Sequence, residues 1–304
     1  MIEFVSLLIY SVCANISHNI NIMKIGITTK RHLEDPQGLV KSAVRFLRSK
    51  DHEVFLCPKG CVLLGEEPTM NFNKKYDLMI VFGGDGTILR TIQYMKNFRT
   101  PILSVNMGTL GFLVEVEAKL LKVALTKFLK KEYTIDERMM LRVTVVRGKE
   151  KVFTQRILND AVVARDAFAR MIHLKTTVSD RKLTTYKADG LIIASPTGST
   201  GYSLSLGGPI LYPNLPAVIL TPIAAHSFTQ KPIVLPSDKL IKIEVLAHHR
   251  KEAIYLTLDG QIGFSLNHGD LVKVKRSTKV IRLVRLSEST YFKTLRNKLY
   301  WGDN

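Results

Sequence analysis

Tyr76-Asp77-Leu78-Met79-Ile80-Val81-Phe82-Gly83-Gly84-Asp85-Gly86-Thr87-Ile88-Leu89 decides the fold class. An apolar run of strand length that stops at once on glycines is the pattern of a strand buried on both faces of a parallel sheet. The residues after the glycines predict a helix over Thr87–Lys96. Working outward, the same alternation continues on both sides. A strand is expected at Lys24–Thr28, a helix at Gly38–Lys50, and strands at Glu53–Cys57 and Pro101–Asn106. The helix rests on Leu39, Val40, Ala43, Phe46 and Leu47, which share one face. Cys57–Pro68, with Gly60 and Gly65, is expected as a connecting segment. Such alternation of strands and helices predicts a doubly wound, Rossmann-like parallel sheet.

After about Glu132 the texture changes to strand-length alternating runs: Leu141–Arg147, Val152–Ile157, Asp160–Arg165, Met171–Val178 and Lys182–Ala188. Later runs at Ala217–Leu220, Lys239–Val245, Ala253–Leu258 and Asp270–Lys275 continue the pattern, and Ser179-Asp180 reads as a hairpin turn. The fold class is therefore α/β plus all-β. Residues 23–132 form the sheet domain, and 133–276 form a strand-rich, sandwich-like domain. Residues 277–304 return to the first, with Tyr291, Phe292, Leu295 and Leu299 at helical spacing.

The chain has 304 residues, 46% of them hydrophobic and 23% charged, which is the composition of a globular protein with an adequate core. No stretch is long and apolar enough to span a bilayer. The net charge of +18 favours anionic partners without choosing among them. The basic residues are scattered and lack interleaved aromatics, so no nucleic-acid partner is expected, and no membrane. Three cysteines, Cys13, Cys57 and Cys61, are a sparse, odd set that fits a reducing, cytoplasmic setting. Cys57 and Cys61 have no second Cys/His pair at metal-site spacing, and no protein-held metal is expected. Residues 1–22 superficially resemble a signal peptide but lack a basic start and a small-residue cleavage site. They are expected to be an N-terminal extension or a misassigned start, with translation beginning at Met23.

Five segments carry chemistry. In Gly83-Gly84-Asp85-Gly86-Thr87, glycines between strand and helix let backbone amides and the helix dipole meet phosphate. No Walker lysine follows. A carboxylate among phosphate-binding amides needs a reason, either chemical or as a helix cap. Asn159-Asp160 pairs an amide with a carboxylate, suited to a purine edge and a ribose hydroxyl, or to a plain turn. Lys187-Ala188-Asp189-Gly190 leads into Pro196-Thr197-Gly198-Ser199-Thr200-Gly201-Tyr202-Ser203-Leu204-Ser205, whose small and hydroxyl residues suit a wall against a flat polar ligand. Thr221–His226 contains a histidine read as structural. Leu258-Asp259-Gly260-Gln261 reads as a hairpin turn.

In this order, together with Asn106–Leu113 and the closing Leu299-Tyr300-Trp301-Gly302, the segments resemble the NAD kinase family from Lys24 to the C-terminus. Departures are Asp160 where glutamate is usual, Gly201 where alanine is common, and the unmatched first 22 residues. The resemblance implies a kinase that moves a phosphoryl group from ATP or polyphosphate, with Mg²⁺, to the 2′-hydroxyl of the adenosine ribose of NAD. It implies Asp85 as the base and Gly83, Gly84, Gly86 and Thr87 on the donor phosphates. Asn159 and Thr200 would bind adenine, Asp160 the ribose, and Asp189 with Ala224 the nicotinamide end. Tyr202, with Gly201, Thr197 and Ser205 nearby, would flank the adenosine, Phe112 would close the cleft, and Lys187 would offer charge. A homodimer or homotetramer is implied as well. The rival readings are a lipid kinase, which shares the glycine–aspartate loop, and a non-catalytic NAD(P)-binding regulator.

Overall fold

The computed structural model describes residues 22–30, 35, 38–108, 111–166, 170–246, 253–286 and 291–300. Residues 1–21 of the expected extension, with Cys13, and the Thr109-Leu110 and Trp301-Gly302 pairs lie outside them.

The parallel core is as the apolar runs predict. β1 (Lys24–Thr29), β2 (Glu53–Leu56), β3 (Leu78–Phe82) and β4 (Ile102–Asn106) lie in the order β2-β1-β3-β4, all parallel. Every residue of β3 is buried. Helix α1 (Leu39–Arg48) buries Val40, Ala43, Val44 and Leu47. A further helix, α2 (Pro58–Leu64), stands where only a connection is expected. Its signals are local: Pro58 at the first turn, the Cys57 thiol accepting from the Gly60 N–H, and Gly65 ending it at φ 70°. Both thiols are buried, Cys57 as the N-cap and Cys61 within the helix. Helix α3 (Asp85–Tyr94) follows β3. Helix α4 (Leu121–Leu129), after the short β5 (Val116–Glu117), is a further element that the sequence reading did not include; it buries Leu121, Ala124, Leu125 and Phe128.

The sheet does not stop at the end of the parallel part. β6 (Thr134–Arg147) and β7 (Glu150–Ile157) extend it. So do β9 (Ile172–Val178), β10 (Arg181–Ala188), β14 (Ile241–Leu246) and β17 (Leu271–Arg285), giving eleven strands. β17 runs antiparallel to β6 along nearly its whole length and reaches β4 at Leu283. It passes straight through the expected 276/277 division, with only a register slip between Arg276 and Val280. Ser179 and Asp180 make the turn before β10 with φ of 47° and 66°.

The second sheet is six-stranded and antiparallel. It comprises β8 (Asp160–Arg165), β11 (Gly190–Ala194), β12 (Ala217–Ile223), β13 (Ile233–Pro236), β15 (Ile254–Leu258) and β16 (Ile262–Leu266), in the order β13-β12-β11-β8-β15-β16. β11, β13 and β16 were not anticipated. β11 is uniformly buried and so shows no alternation. The sheets pack face to face over Leu141, Val143, Val274, Ala161, Val163, Leu191 and Leu256. The chain crosses between sheets at Leu158–Asn159 and again at Asp189. These two corners, and helix α6 (Tyr291–Leu299) at the end of the chain, frame the functional residues.

Candidate active site

Gly83 lets the chain turn beneath α3, because a Cβ there would meet the Thr87 side chain at 2.6 Å. Gly84 is the N-cap and Asp85 opens the helix without capping it. The Asp85 carboxylate reaches instead to the loop after β4. Its Oδ2 accepts from the Phe112 N–H (2.9 Å) and its Oδ1 from the Leu113 N–H (3.0 Å). That contact requires a glycine at 111, where a Cβ would strike the carboxylate. A third partner comes from α6. The Lys298 ammonium lies 3.6 Å from Asp85 Oδ2 and 4.6 Å from the centre of the Phe112 ring. The Asp85 side chain keeps 27% of its surface exposed, so one side remains open to a ligand.

The second cluster forms at the corner between β7 and β8. The Asp259 carboxylate accepts from three successive backbone amides: Leu158 (3.0 Å), Asn159 (2.7 Å) and Asp160 (3.2 Å). The segment Thr197–Thr200 packs on this corner. A Cβ on Gly198 would run into the Asn159 backbone, lying 2.5 Å from its carbonyl carbon. Ser195 Oγ donates to the Leu158 carbonyl and accepts from the Gly198 N–H. Two polar atoms in this well-bonded corner are buried without a protein partner, Asn159 Oδ1 and Thr197 Oγ1. Buried polar groups are ordinarily paired, so both fit a missing polar ligand. Asp160 is buried, its carboxyl pushed up to about 7 by desolvation first and by the Asp259 charge second. Burial likewise lifts Asp259 to about 6, against the pull of its three amides. Gly201 lies beside the Asp160 carboxylate; its Cβ position is 3.9 Å from Oδ2. Thr200 Oγ1 is 3.3 Å from the Thr197 carbonyl. Tyr202, 47% exposed, and the exposed Ser205 follow on the open side.

A third group gathers at the opposite end of β11. Asp189 sits at the sheet-to-sheet corner, its Oδ1 accepting from Arg165 Nε at 2.7 Å. Its N–H donates to the Ile223 carbonyl, and the His226 N–H donates to the Lys187 carbonyl, so Lys187, Asp189 and Ala224 are neighbours. The His226 side chain is exposed. Five residues of β11 separate this group from Asn159 and Thr197, about 17 Å at roughly 3.3 Å per residue. The expected residues thus form two clusters along one strand.

One residue that the sequence reads as part of a turn joins the glycine–aspartate loop to the second cluster. Gln261 Nε2 donates to the Gly86 carbonyl at 2.7 Å. Asp259 and Gln261 belong to the same turn, with φ of 49° at Asp259 and 65° at Gly260. A single hairpin therefore fixes the Asn159-Asp160 corner with one residue and the glycine–aspartate loop with the next but one. Asp-Gly marked the turn; no periodicity marks a side chain that crosses 175 residues of sequence.

Phe112 packs towards α6. It lines a cavity of about 1010 Å³ bounded by α6, with Tyr212, Tyr291, Arg138 and Arg285. Its ring packs with Tyr291 at 6.4 Å, and Tyr212 packs edge-on to Tyr291 at 5.5 Å. Aromatic contacts thus hold α6 against both halves.

Two family models match: the ATP-NAD kinase N-terminal domain over residues 62–133 and the ATP-NAD kinase C-terminal domain over residues 158–286. The chain is 47% identical over 287 residues to the NAD kinase of Geotalea daltonii, covering 92% of this chain and 99% of that protein. It is 39% identical over 280 residues to the NAD kinase of Caldanaerobacter subterraneus, covering 91% and 98%. An NAD kinase from Archaeoglobus fulgidus, solved in complex with ATP, superposes with a TM-score of 0.70 at 25% identity, over 91% of this chain and 99% of that one. Yeast NADH kinase, solved with NADH, shares the fold at a TM-score of 0.85 and 24% identity, over 93% and 89%.

Proposed function

The chain belongs to the NAD kinase family, with NAD and ATP as substrates, and from that premise we propose how its own residues conduct the transfer. The acceptor is the 2′-hydroxyl of the adenosine ribose, presented to Asp85. Asn159 Oδ1 and Thr197 Oγ1 supply the acceptor-side polar contacts, with Thr200 on the adenine and Asp160 on the ribose. Tyr202, Gly201 and Ser205 flank the open side. Lys187, Asp189 and Ala224 receive the nicotinamide end. The donor triphosphate lies at the N-terminus of α3, against the amides of Gly83, Gly84, Gly86 and Thr87, where the helix dipole favours negative charge. Mg²⁺ enters as part of the donor substrate; among the described residues no group of three or more metal-ligating side chains is gathered.

Phosphoryl transfer proceeds through a loose transition state, so alignment and charge neutralisation contribute more than strong base catalysis. Asp85 suits that role. Two backbone amides fix its carboxylate in place, and the acceptor proton passes to it as the new O–P bond forms and the bond from the γ-phosphorus to the bridging oxygen of ATP breaks, releasing ADP. The observation that carries the reading is the Asp259–Gln261 turn, which ties the Asp85 loop to the corner holding two partnerless buried polar atoms. A lipid acceptor gives no reason for those two atoms.

The same reading places the protein in the cytoplasm as a homodimer or homotetramer, a state that light scattering on the purified chain measures. Among the described residues no helix is long and apolar enough to cross a membrane. The central test is NADP formation from NAD and labelled ATP by the wild type and by Asp85→Asn. Loss of about 10² or more in turnover, with NAD still bound, is expected for removal of a general base. Undiminished turnover by a folded Asp85→Asn protein overturns the assignment. A donor series including polyphosphate, run on the wild type, fixes the phosphoryl source.

A further inference from the structure

The stretch Gly83–Leu89 offers amides to phosphate but not one cationic side chain. Phosphoryl transfer concentrates negative charge where acceptor, base and phosphoryl meet, and neutralising it is most of the catalytic task. The structure brings one cation to that point from the far end of the chain. Lys298, on α6, places its ammonium 3.6 Å from Asp85 Oδ2. We propose that Lys298 is a further catalytic residue, whose ammonium contacts the phosphoryl group as it passes to the acceptor hydroxyl. The inference rests on the reading of Asp85 as the acceptor-side base.

Four features support it. First, Asp85 does not need the lysine for orientation, since the Phe112 and Leu113 amides already hold both its oxygens at hydrogen-bonding distance. Second, the lysine contact is longer than the 2.7–3.1 Å of a charge-assisted hydrogen bond in this molecule, such as Arg165 to Asp189 at 2.7 Å. The ammonium sits beside the carboxylate at a separation longer than a hydrogen bond. Third, 35% of the Lys298 side chain is exposed, as is 27% of the Asp85 side chain. Fourth, the lysine is steered rather than free to wander. Its ammonium lies over the Phe112 ring at 4.6 Å, and α6 is anchored by buried Leu295 and by Tyr291 between Phe112 and Tyr212. A cation over an aromatic face is held without losing its capacity to bind an anion.

The test compares Lys298→Met and Lys298→Arg in the full chain, with Asp85→Asn alongside. Turnover, KM for NAD and ATP, direct NAD binding and melting temperature are measured for each. The expected result for Lys298→Met is a fall in turnover of about 10², the scale of removing one charge-stabilising donor, with NAD affinity kept. Lys298→Arg is expected to recover most of that loss, because it restores the charge at similar reach. Turnover retained by Lys298→Met overturns the inference. So does a loss that Lys298→Arg does not recover and that tracks a lowered melting temperature, which identifies a purely structural contact. If Asp85→Asn is inactive while Lys298→Met is active, only the lysine role fails. If Asp85→Asn is fully active, the acceptor-side reading fails with it.

Discussion

Asp259→Asn probes the corner where the two sheets exchange strands, and its consequences follow from the geometry. Asparagine tolerates the positive φ of 49° at this position, so the turn itself survives. What changes is the acceptor set. One side-chain oxygen can still serve the Asn159 and Asp160 amides, but the new NH₂ faces the Leu158 N–H, a buried donor left without a partner. That costs about 1–3 kcal/mol. The second consequence is pH dependence. Asp160 titrates at about 7 and Asp259 at about 6, both above the ordinary carboxylate range. A carboxyl group whose pKa is raised by folding holds its proton longer in the folded state. Stability is therefore greatest at low pH and is lost as pH rises towards the folded pKa values. Each such proton is worth about 1.4 kcal/mol per pH unit in that window. In the variant one of the two groups no longer titrates, and Asp160 loses the neighbouring charge that helped raise it. Wild type therefore exceeds the variant most at pH 5, and the gap narrows by about 1–2 kcal/mol by pH 8. Urea unfolding followed by circular dichroism at pH 5, 6, 7 and 8 measures it. A gap that stays constant or widens with pH refutes the account of the Asp160–Asp259 pair.

Gly198→Ala pushes a methyl group into the Asn159 backbone and should raise the KM for NAD about tenfold or more, at a stability cost of about 1–3 kcal/mol; steady-state kinetics and melting curves report the two effects. Gly111→Ala displaces the Asp85 carboxylate and should lower turnover by about 10² with NAD affinity retained, as judged by equilibrium dialysis. Gln261→Leu cuts the link to the Gly86 carbonyl. It should lower turnover about tenfold while leaving the melting temperature within a few degrees, because only one exposed hydrogen bond is lost.

The parallel core could be read directly from the chain because β1, β3 and β4 are short apolar runs bounded by glycine, proline or charge. α2 escaped notice although Pro58 and Gly65 bracket it, because seven residues give too few turns for a periodic signal. α4 went unread although Leu121, Ala124, Leu125 and Phe128 recur at helical spacing, with Lys122 and Lys127 off that buried face. The glycine–aspartate loop and the Asn159 corner stand out in the sequence as glycine and amide–acid patterns. Gln261 and Lys298 do not. Each acts through a side chain reaching across long sequence separations, 175 residues for Gln261 to Gly86, and only the folded chain shows the partner. Phe112 packs beneath Lys298 and against Tyr291, contacts that no sequence pattern signals.

Because β6 and β17 run from the parallel region into the sandwich, interrupted between Arg276 and Val280 by a register slip, the two halves share one beam. Hinged swinging of one half against the other would have to tear that ladder, so substrate admission falls to the segments hung on its flanks. The slip between Arg276 and Val280 is where the beam can flex, and bending there would move α6 and its lysine relative to the nucleotide corner.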